Sequence, residues 1–300
     1  MTEHQLVRAF VDHPVTDIVA AEQAARAATA AWHLPEPVLR RAGMNVIFTC
    51  GEVVLRVSAP STDASASIEL ARFLHDQGLR VPSSVRTDAV VEGGLSVTAW
   101  DLIEPSEEPI DWRTVGEMVR RVHDLPAGSL PEIVPLPWPD DLPWWDFPQL
   151  LETTAAAIDG AARRGLEAAI ARHVGWHDFA DRVVCHGDVH PGNVMMTDEG
   201  PVLIDWDLLC WAPPGWDHGP MMTWESRWGG RAGEYAAYAE GYGRTLVGDP
   251  AAEAYAELRL VAATLMRVRA GMRDPEAMPE AQSRLRYWRG EPDAPAWQAQ

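Results

Sequence analysis

The chain has 300 residues, enough for one two-lobed enzyme or two small domains with an ample core. Its net charge of −19, from 25 Lys and Arg against 44 Asp and Glu, argues against a nucleic-acid partner, which selects basic surfaces, and favours a cationic small molecule. No apolar run is long enough to span a bilayer, Met1 to Gln5 lack the regions of a signal peptide, and Cys50, Cys185 and Cys210 show no zinc-like spacing, so a reduced, cytoplasmic protein is expected.

Residues 4–32 read as a helix with an Ala-rich stretch, broken at Leu34-Pro35-Glu36-Pro37. Residues 38–41, 45–49 and 53–57 then read as an antiparallel meander with turns at Ala42-Gly43-Met44 and Cys50-Gly51-Glu52. A helix over 64–77 places Leu70, Phe73 and Leu74 at core spacing and leaves Glu69 outside that stripe. Arg56 stands in a strongly apolar strand, and a charge buried there needs a partner. A strand over 95–100 runs into Asp101-Leu102-Ile103-Glu104, and the polar connector Pro105 to Pro109 follows.

Trp112 to His123 forms a helix with Val115, Met118, Val119 and Val122 on one side, where His123 reads as a structural hydrogen-bonder. Pro131 to Pro148 is irregular and carries Asp140, Asp141 and Asp146. Residues 150–173 are helical, 221–230 read as a Trp/Met/Gly loop, and helices over 232–246, 251–271 and 279–288 close the chain before a loose tail from Gly290. Most of the 14 tryptophans read as packing, and some as a face for a sugar ring or a cation.

The chemistry concentrates in Val183-Val184-Cys185-His186-Gly187-Asp188-Val189-His190-Pro191-Gly192-Asn193 and Leu203-Ile204-Asp205-Trp206-Asp207. Val194 to Met196 and Val202 to Ile204 read as strands around the turn-forming Thr197-Asp198-Glu199-Gly200-Pro201. That hairpin brings Asn193 and Asp205 to one end, where each offers a hard oxygen to Mg²⁺. Asp188, in a loop that Gly and Pro keep irregular, is left to face an acceptor hydroxyl. H-G-D-x-H also permits a metallophosphoesterase, with His and Asp as ligands, although the other eight of the ten histidines are scattered.

The segment Val183 to Asp207 resembles the aminoglycoside phosphotransferase family, a small-molecule branch of the protein-kinase-like fold, at His186, Gly187, Asp188, Asn193, Ile204, Asp205, Trp206 and Asp207. The resemblance implies an α+β fold of two lobes: a small antiparallel-sheet nucleotide lobe over 1–99, a hinge over 100–104, and a mostly helical catalytic and substrate lobe over 105–300. It implies that Asp188 positions or deprotonates the acceptor and that Asn193 and Asp205 bind Mg²⁺. His186, Asp207 and Asp217 would support the loop, the last from Pro213-Pro214-Gly215-Trp216-Asp217.

By the same resemblance, Gly43 and Asn45 lie at a turn over the ATP phosphates, Arg56 and Glu69 form a phosphate-directed pair, and Trp100, Leu102 and Ile103 line the adenine hinge. Hinge contacts are made by backbone, so side chains do not choose between ATP and GTP. Asp146, Trp216 and Glu225 are the candidates for acceptor binding. The expected reaction is Mg²⁺-assisted phosphorylation of a small-molecule hydroxyl, on an aminoglycoside, another cationic antibiotic or an amino sugar. A choline-like, amino-acid or sugar kinase, or a nucleotide-binding module without catalysis, fits the same residues.

Overall fold

The computed structural model describes residues 11–298 except Ser61, and the N-terminal part of the expected first helix, residues 4–10, lies outside the described residues. The chain divides into two compact units that are discontinuous in sequence. One takes in the described part of Met1–Asp111 with Leu125–Pro137 and Asn193–Cys210; the other comprises Trp112–Asp124, Trp138–Gly192 and Trp211–Gln300. The hairpin expected in the catalytic lobe thus packs with the sheet-bearing unit, through Leu203 N–H to Arg80 O (3.1 Å) and Ser106 N–H to Met196 O (2.7 Å).

The first unit is built on β1 (Val11–His13), α1 (Ile18–Trp32), β2 (Val38–Ala42), β3 (Val46–Cys50), β4 (Val53–Pro60), α2 (Ala66–Asp76), β5 (Val90–Glu92) and β6 (Leu95–Asp101). Val11 to His13 was expected inside the first helix; it is instead a strand on β4, and α1 starts after its N-cap Asp17 accepts from Ala20 N–H at 2.9 Å. The sheet runs β2-β3-β4-β6-β5, antiparallel throughout.

Strand alternation sorts its two faces. Val46, Phe48, Leu55, Val57, Val97 and Ala99 are buried together with Ala21, Ala24, Ala25 and Ala28 of α1, whose small side chains let the helix lie close to the sheet. The opposite face carries Ile47, Val54, Arg56, Thr98 and Trp100, with Ile47 opposite Arg56 and Val54 opposite Trp100 in register. Leu55 is fully buried, and its truncation to Ala would cost about 2–5 kcal/mol.

The unit also holds the hairpin β8 (Val194–Thr197) and β9 (Gly200–Leu203), numbered after β7 of the second unit. Its turn uses Gly200 at φ +112 and the Thr197 hydroxyl, which accepts from Glu199 N–H and donates to Gly200 O.

The second unit contains α3 (Trp112–His123), α4 (Phe147–Thr153), α5 (Gly160–Arg172), β7 (Val183–Cys185), β10 (Cys210–Ala212), α6 (Gly215–Arg227), α7 (Glu234–Tyr242), α8 (Pro250–Arg273) and α9 (Met278–Trp288), with β7 paired to β10. The single helix expected over 150–173 is two, because Asp159 caps α5 at Ala161 and Ala162 N–H.

The loop expected over 221–230 is helical as far as Arg227. Gly215 and Gly219 of this helix serve close packing on α8: a Cβ on Gly215 would sit 2.5 Å from Ala252 backbone, and one on Gly219 2.8 Å from Ala256 N. The tail beyond Gly290 is anchored rather than loose, since Trp297 is buried and its N–H donates to Arg227 O at 2.7 Å. Among the described residues no helix is long and apolar enough to cross a membrane.

Candidate active site

In the first unit, a cavity of about 340 Å³ opens beside the Arg56 face of the sheet. Ile47, Val54, Leu70, Ala71, Met195 and Ile204 supply apolar walls. Trp100, Asp101, Leu102 and Ile103 form one rim, and Asn45, Arg56, Asp205 and Asp207 a polar end. An apolar slot with charges at one end suits a flat ring carrying phosphates.

Arg56 pairs with Asp207, and both side chains are largely buried, at 18% and 11% exposure. The expected partner Glu69 bridges Arg72 at 3.1 Å instead and does not line the cavity. Asp207, expected to support the catalytic loop, is thus the counter-ion of Arg56. The Asn45 carboxamide, its oxygen turned to Arg56, accepts from Nη2 at 2.7 Å and Nε at 3.2 Å. Burial works against the Arg56 charge, and the carboxylates of Asp207 and Asp205 outweigh it, raising its pKa above the ordinary value.

At the hairpin's open end, Val194 lies opposite Leu203 and Ile204 N–H donates to Asn193 O at 3.0 Å. Asn193 and Asp205 therefore share that end, as their spacing predicts. Asp205 is left-handed, at φ +62, a conformation that a short acidic side chain tolerates but that still stores of order 1 kcal/mol. Gly43 does not line the cavity, although its neighbours Arg41 and Met44 do, and a Cβ there would have room, with nothing nearer than 3.9 Å.

The backbone expected to form the hinge is partly committed. Asp101 N–H donates to Ser83 O and Leu102 N–H to Glu52 O, both at 2.9 Å. Ile103 N–H has no protein acceptor among the described hydrogen bonds.

In the second unit, the loop after β7 is held by Asp217, which is fully buried. Its Oδ2 accepts from His186 N–H (2.9 Å) and its Oδ1 from Gly187 N–H (2.8 Å). His123 Nε2 donates to Oδ2 at 3.0 Å, while its Nδ1 accepts from the Tyr242 hydroxyl at 2.9 Å. Burial pushes the Asp217 carboxyl up, but His123, His186 and the Gly187 N–H together hold it below its ordinary value. His123, Cys185 and Asp217 present donor atoms within 4.8 Å of one another, but three hydrogen bonds already occupy the carboxylate, so the group reads as a brace.

Gly187, at φ +92, turns the chain so that Asp188 leaves the strand line. Asp188 N–H donates to His186 Nδ1 at 3.2 Å. The Asp188 carboxylate pairs with Arg259 on α8, and His190 Nε2 lies 3.4 Å from its Oδ2. Because His190 Nδ1 accepts from Gly192 N–H at 3.1 Å, the ring proton sits on Nε2, facing Asp188. Burial alone would raise the Asp188 pKa; Arg259, then His190 and His186, outweigh it and hold the carboxyl well below the usual range. A carboxylate so held stays ionised and is a weak base, better at orienting a hydroxyl than at keeping its proton.

Arg259 was not singled out from sequence, and His190 entered only through the H-G-D-x-H metal-ligand alternative. Arg259 carried a readable signal: a charge among Leu258, Leu260 and Val261 on a long apolar helix, where burial demands a partner.

The three expected acceptor-binding residues are committed to structure. Asp146 caps α4 by accepting from Gln149 N–H at 3.0 Å. Glu225 Oε1 accepts from Gly233 N–H (3.0 Å) and Tyr235 N–H (3.2 Å). Trp216 is 2% exposed, packs on Trp145 and Tyr255, and donates from Nε1 to Gly187 O at 3.2 Å. It supports the loop that carries Asp188.

The sequence model of the phosphotransferase enzyme family matches residues 46–261. No curated protein matches the chain. Among solved structures, the chain is similar to the GDP complex of wild-type aminoglycoside 2'-phosphotransferase-IIIa, at 14% identity over 90% of this chain and 98% of that one, with a TM-score of 0.69. Spectinomycin phosphotransferase in complex with ADP and spectinomycin gives 18% identity, 87% and 90% coverage and a TM-score of 0.61. Macrolide 2'-phosphotransferase from Brachybacterium faecium gives 18%, 87% and 97%, with 0.57. At these identities the likeness is one of fold, the protein-kinase-like α+β arrangement.

Proposed function

Because the chain belongs to the phosphotransferase enzyme family, and is therefore a phosphotransferase, we propose that it moves the γ-phosphoryl group of ATP, with Mg²⁺, to a hydroxyl of a small molecule. The observation that carries this reading is the charge-compensated but accessible Asp188, 23% exposed in a loop braced at two consecutive backbone N–H groups. The acceptor oxygen forms the new bond to phosphorus, the bond to the β–γ bridging oxygen breaks, and the nucleoside diphosphate leaves. Asp188 orients the hydroxyl and takes its proton, which passes to solvent. The nucleotide complexes among the similar structures support a nucleoside triphosphate donor.

The cavity of the first unit suits the nucleotide, with Ile103 N–H available to the base edge and Arg56 at the phosphate end. Asn193 and Asp205, two hard oxygen donors at one end of a hairpin, fit Mg²⁺ and would hold it. The ion would neutralise charge on the phosphates. Such chemistry belongs to the cytoplasm, where ATP is at hand and the free cysteines, all buried, stay reduced.

Titration calorimetry with ATP tests the donor half. Mg²⁺-dependent binding, weakened at least tenfold in Asp205→Ala, is expected; binding indifferent to both would overturn it.

A further inference from the structure

Within the first unit, β2 changes face part-way along. Leu39 lies opposite Phe48, which is buried against α1, and regular alternation would send Arg41, two residues on, to that same side. A bulge between Leu39 and Arg41 prevents it. The extra residue slips the alternation by one, so Arg41 lies opposite Ile47 and faces the other way. Ile47 lies opposite Arg56 in turn. Arg41, Ile47 and Arg56 therefore form one row across β2, β3 and β4, on the face that carries the cavity.

The bulge is pinned, and the residue after it is aimed. Arg40, the extra residue, donates from Nε to the Thr49 hydroxyl at 2.7 Å and does not line the cavity. Arg41 does line it. Its Nε stands 3.9 Å from where a Cβ on Gly43 would sit, so the side chain runs beside the turn. At this corner the turn presents Arg41, Met44 and Asn45 to the cavity, and no glycine.

Charge shows what this corner needs. Asp101, Asp205 and Asp207 line the cavity against Arg41 and Arg56. Arg56 is taken up by Asp207, with the Asp205 carboxylate close by. A polyphosphate reaching this end would meet a cation that carboxylates already offset. Arg41 is different: among the described residues it has no hydrogen-bond, ion-pair or cation–π partner. Glu36, on the segment leading into β2, pairs with Arg26 instead. Asp17 keeps its charge while capping α1 and forms no ion pair with Arg41. An uncommitted guanidinium suits phosphate oxygens, which it can meet bidentately.

Resting on the reading of this cavity as the ATP site, we propose that Arg41 is a second phosphate-binding cation of that site, holding the polyphosphate from the turn while Arg56 holds it from the sheet. The β2 bulge is what aims it there. Arg41 binds the donor and takes no part in proton transfer from the acceptor. The ligand class it selects is the nucleoside polyphosphate, and a nucleoside without phosphates gains nothing from it.

Titration calorimetry in Mg²⁺ with ATP and with adenosine tests it, on the wild type, Arg41→Gln and Arg40→Gln. Both arginines are exposed, so each variant should keep the wild-type unfolding midpoint in urea. Arg40→Gln removes the same charge one residue away, outside the cavity wall. Arg41→Gln should weaken ATP binding about fivefold or more beyond any change in Arg40→Gln, the scale of a charge-assisted hydrogen bond at an open site, and leave adenosine within twofold. A smaller loss for ATP overturns the proposal. So does an equal loss for adenosine, which would make Arg41 a wall of the base site, or an equal loss in Arg40→Gln, which would make the effect one of diffuse charge. ATP binding that is indifferent to Arg41→Gln overturns this proposal alone and leaves the ATP reading standing. A wild type that binds no ATP sinks that reading and Arg41's role with it.

Discussion

Arg259, 71 residues beyond Asp188 in the chain, pairs its guanidinium with the Asp188 carboxylate and reaches Gly187 O with its other nitrogen at 3.3 Å. One side chain from α8 therefore fixes both the charge and the backbone of the loop that carries Asp188. The pair sets the pH dependence. In the wild type Asp188 remains ionised well below the usual carboxylate range, so kcat should be flat from pH 8 down to about 5. In Arg259→Met, burial is no longer opposed by the guanidinium and raises the Asp188 pKa. An acid limb should then enter the window, with kcat at pH 5 about tenfold below its value at pH 8. A pH–rate profile of the two proteins decides it.

The Arg56–Asp207 pair leads to a contrast between two acids. Asp207→Asn removes the charge that partners Arg56 and should raise the KM for ATP about tenfold or more, the scale of a charge-assisted hydrogen bond. Glu69→Gln should change it less than about threefold, because Glu69 bridges Arg72 near the surface and exposed pairs contribute little. ATP saturation curves for both variants test the assignment.

Asp217 should matter for stability before it matters for rate. Asp217→Ala strips a buried acceptor from His186 N–H, Gly187 N–H and His123 together, a loss of about 3–5 kcal/mol by the behaviour of buried charged networks. Urea denaturation reads it as a lower midpoint with an unchanged slope.

His218 adds an acid sensitivity of its own. It is fully buried among Tyr235, Tyr238 and Tyr242, and burial first, then the neighbouring His123, lowers its pKa to about 3. Above pH 6.5 it is neutral in both the folded and the unfolded chain. As the pH falls, the unfolded chain takes up a proton that the folded one refuses, so stability declines from pH 6.5 toward 3. By pH 5 the loss from this group is about 2 kcal/mol. Denaturation at pH 7 and pH 5 should show that slope in the wild type and a shallower one in His218→Phe. Between pH 7 and pH 5 Asp217 adds nothing to this slope, because the unfolded carboxyl is ionised there too; nearer pH 4 and below, its lowered folded pKa adds to the decline.

What the sequence disclosed follows the range of each interaction. The β8–β9 hairpin is local: turn formers between two apolar runs fix it, and with it the shared end of Asn193 and Asp205. The brace at Asp217 was legible from its motif, and His123 from its place on an apolar helix face. The partner of Arg56 was not, because Asp207 lies 151 residues away and Glu69 merely seemed well placed on the adjacent helix. Asp146, followed by Phe-Pro, carried an N-cap signature that outweighs a substrate role. The loop reading of residues 221–230 hid the end of α6, whose Gly215 and Gly219 answer Ala252 and Ala256 at the same four-residue spacing on α8. Small residues at matched spacing on two segments are the signal that finds such a contact.

The central claim is that Asp188 serves phosphoryl transfer from ATP to an acceptor hydroxyl. The most direct test is acceptor-stimulated ATP turnover with Mg²⁺ in the wild type and in Asp188→Asn, alongside ATP binding to both. The account predicts a fall in kcat of about 10³-fold with ATP affinity within threefold, since the carboxylate acts on the acceptor and not on the nucleotide. An Asp188→Asn enzyme that keeps its turnover within tenfold of the wild type would contradict it.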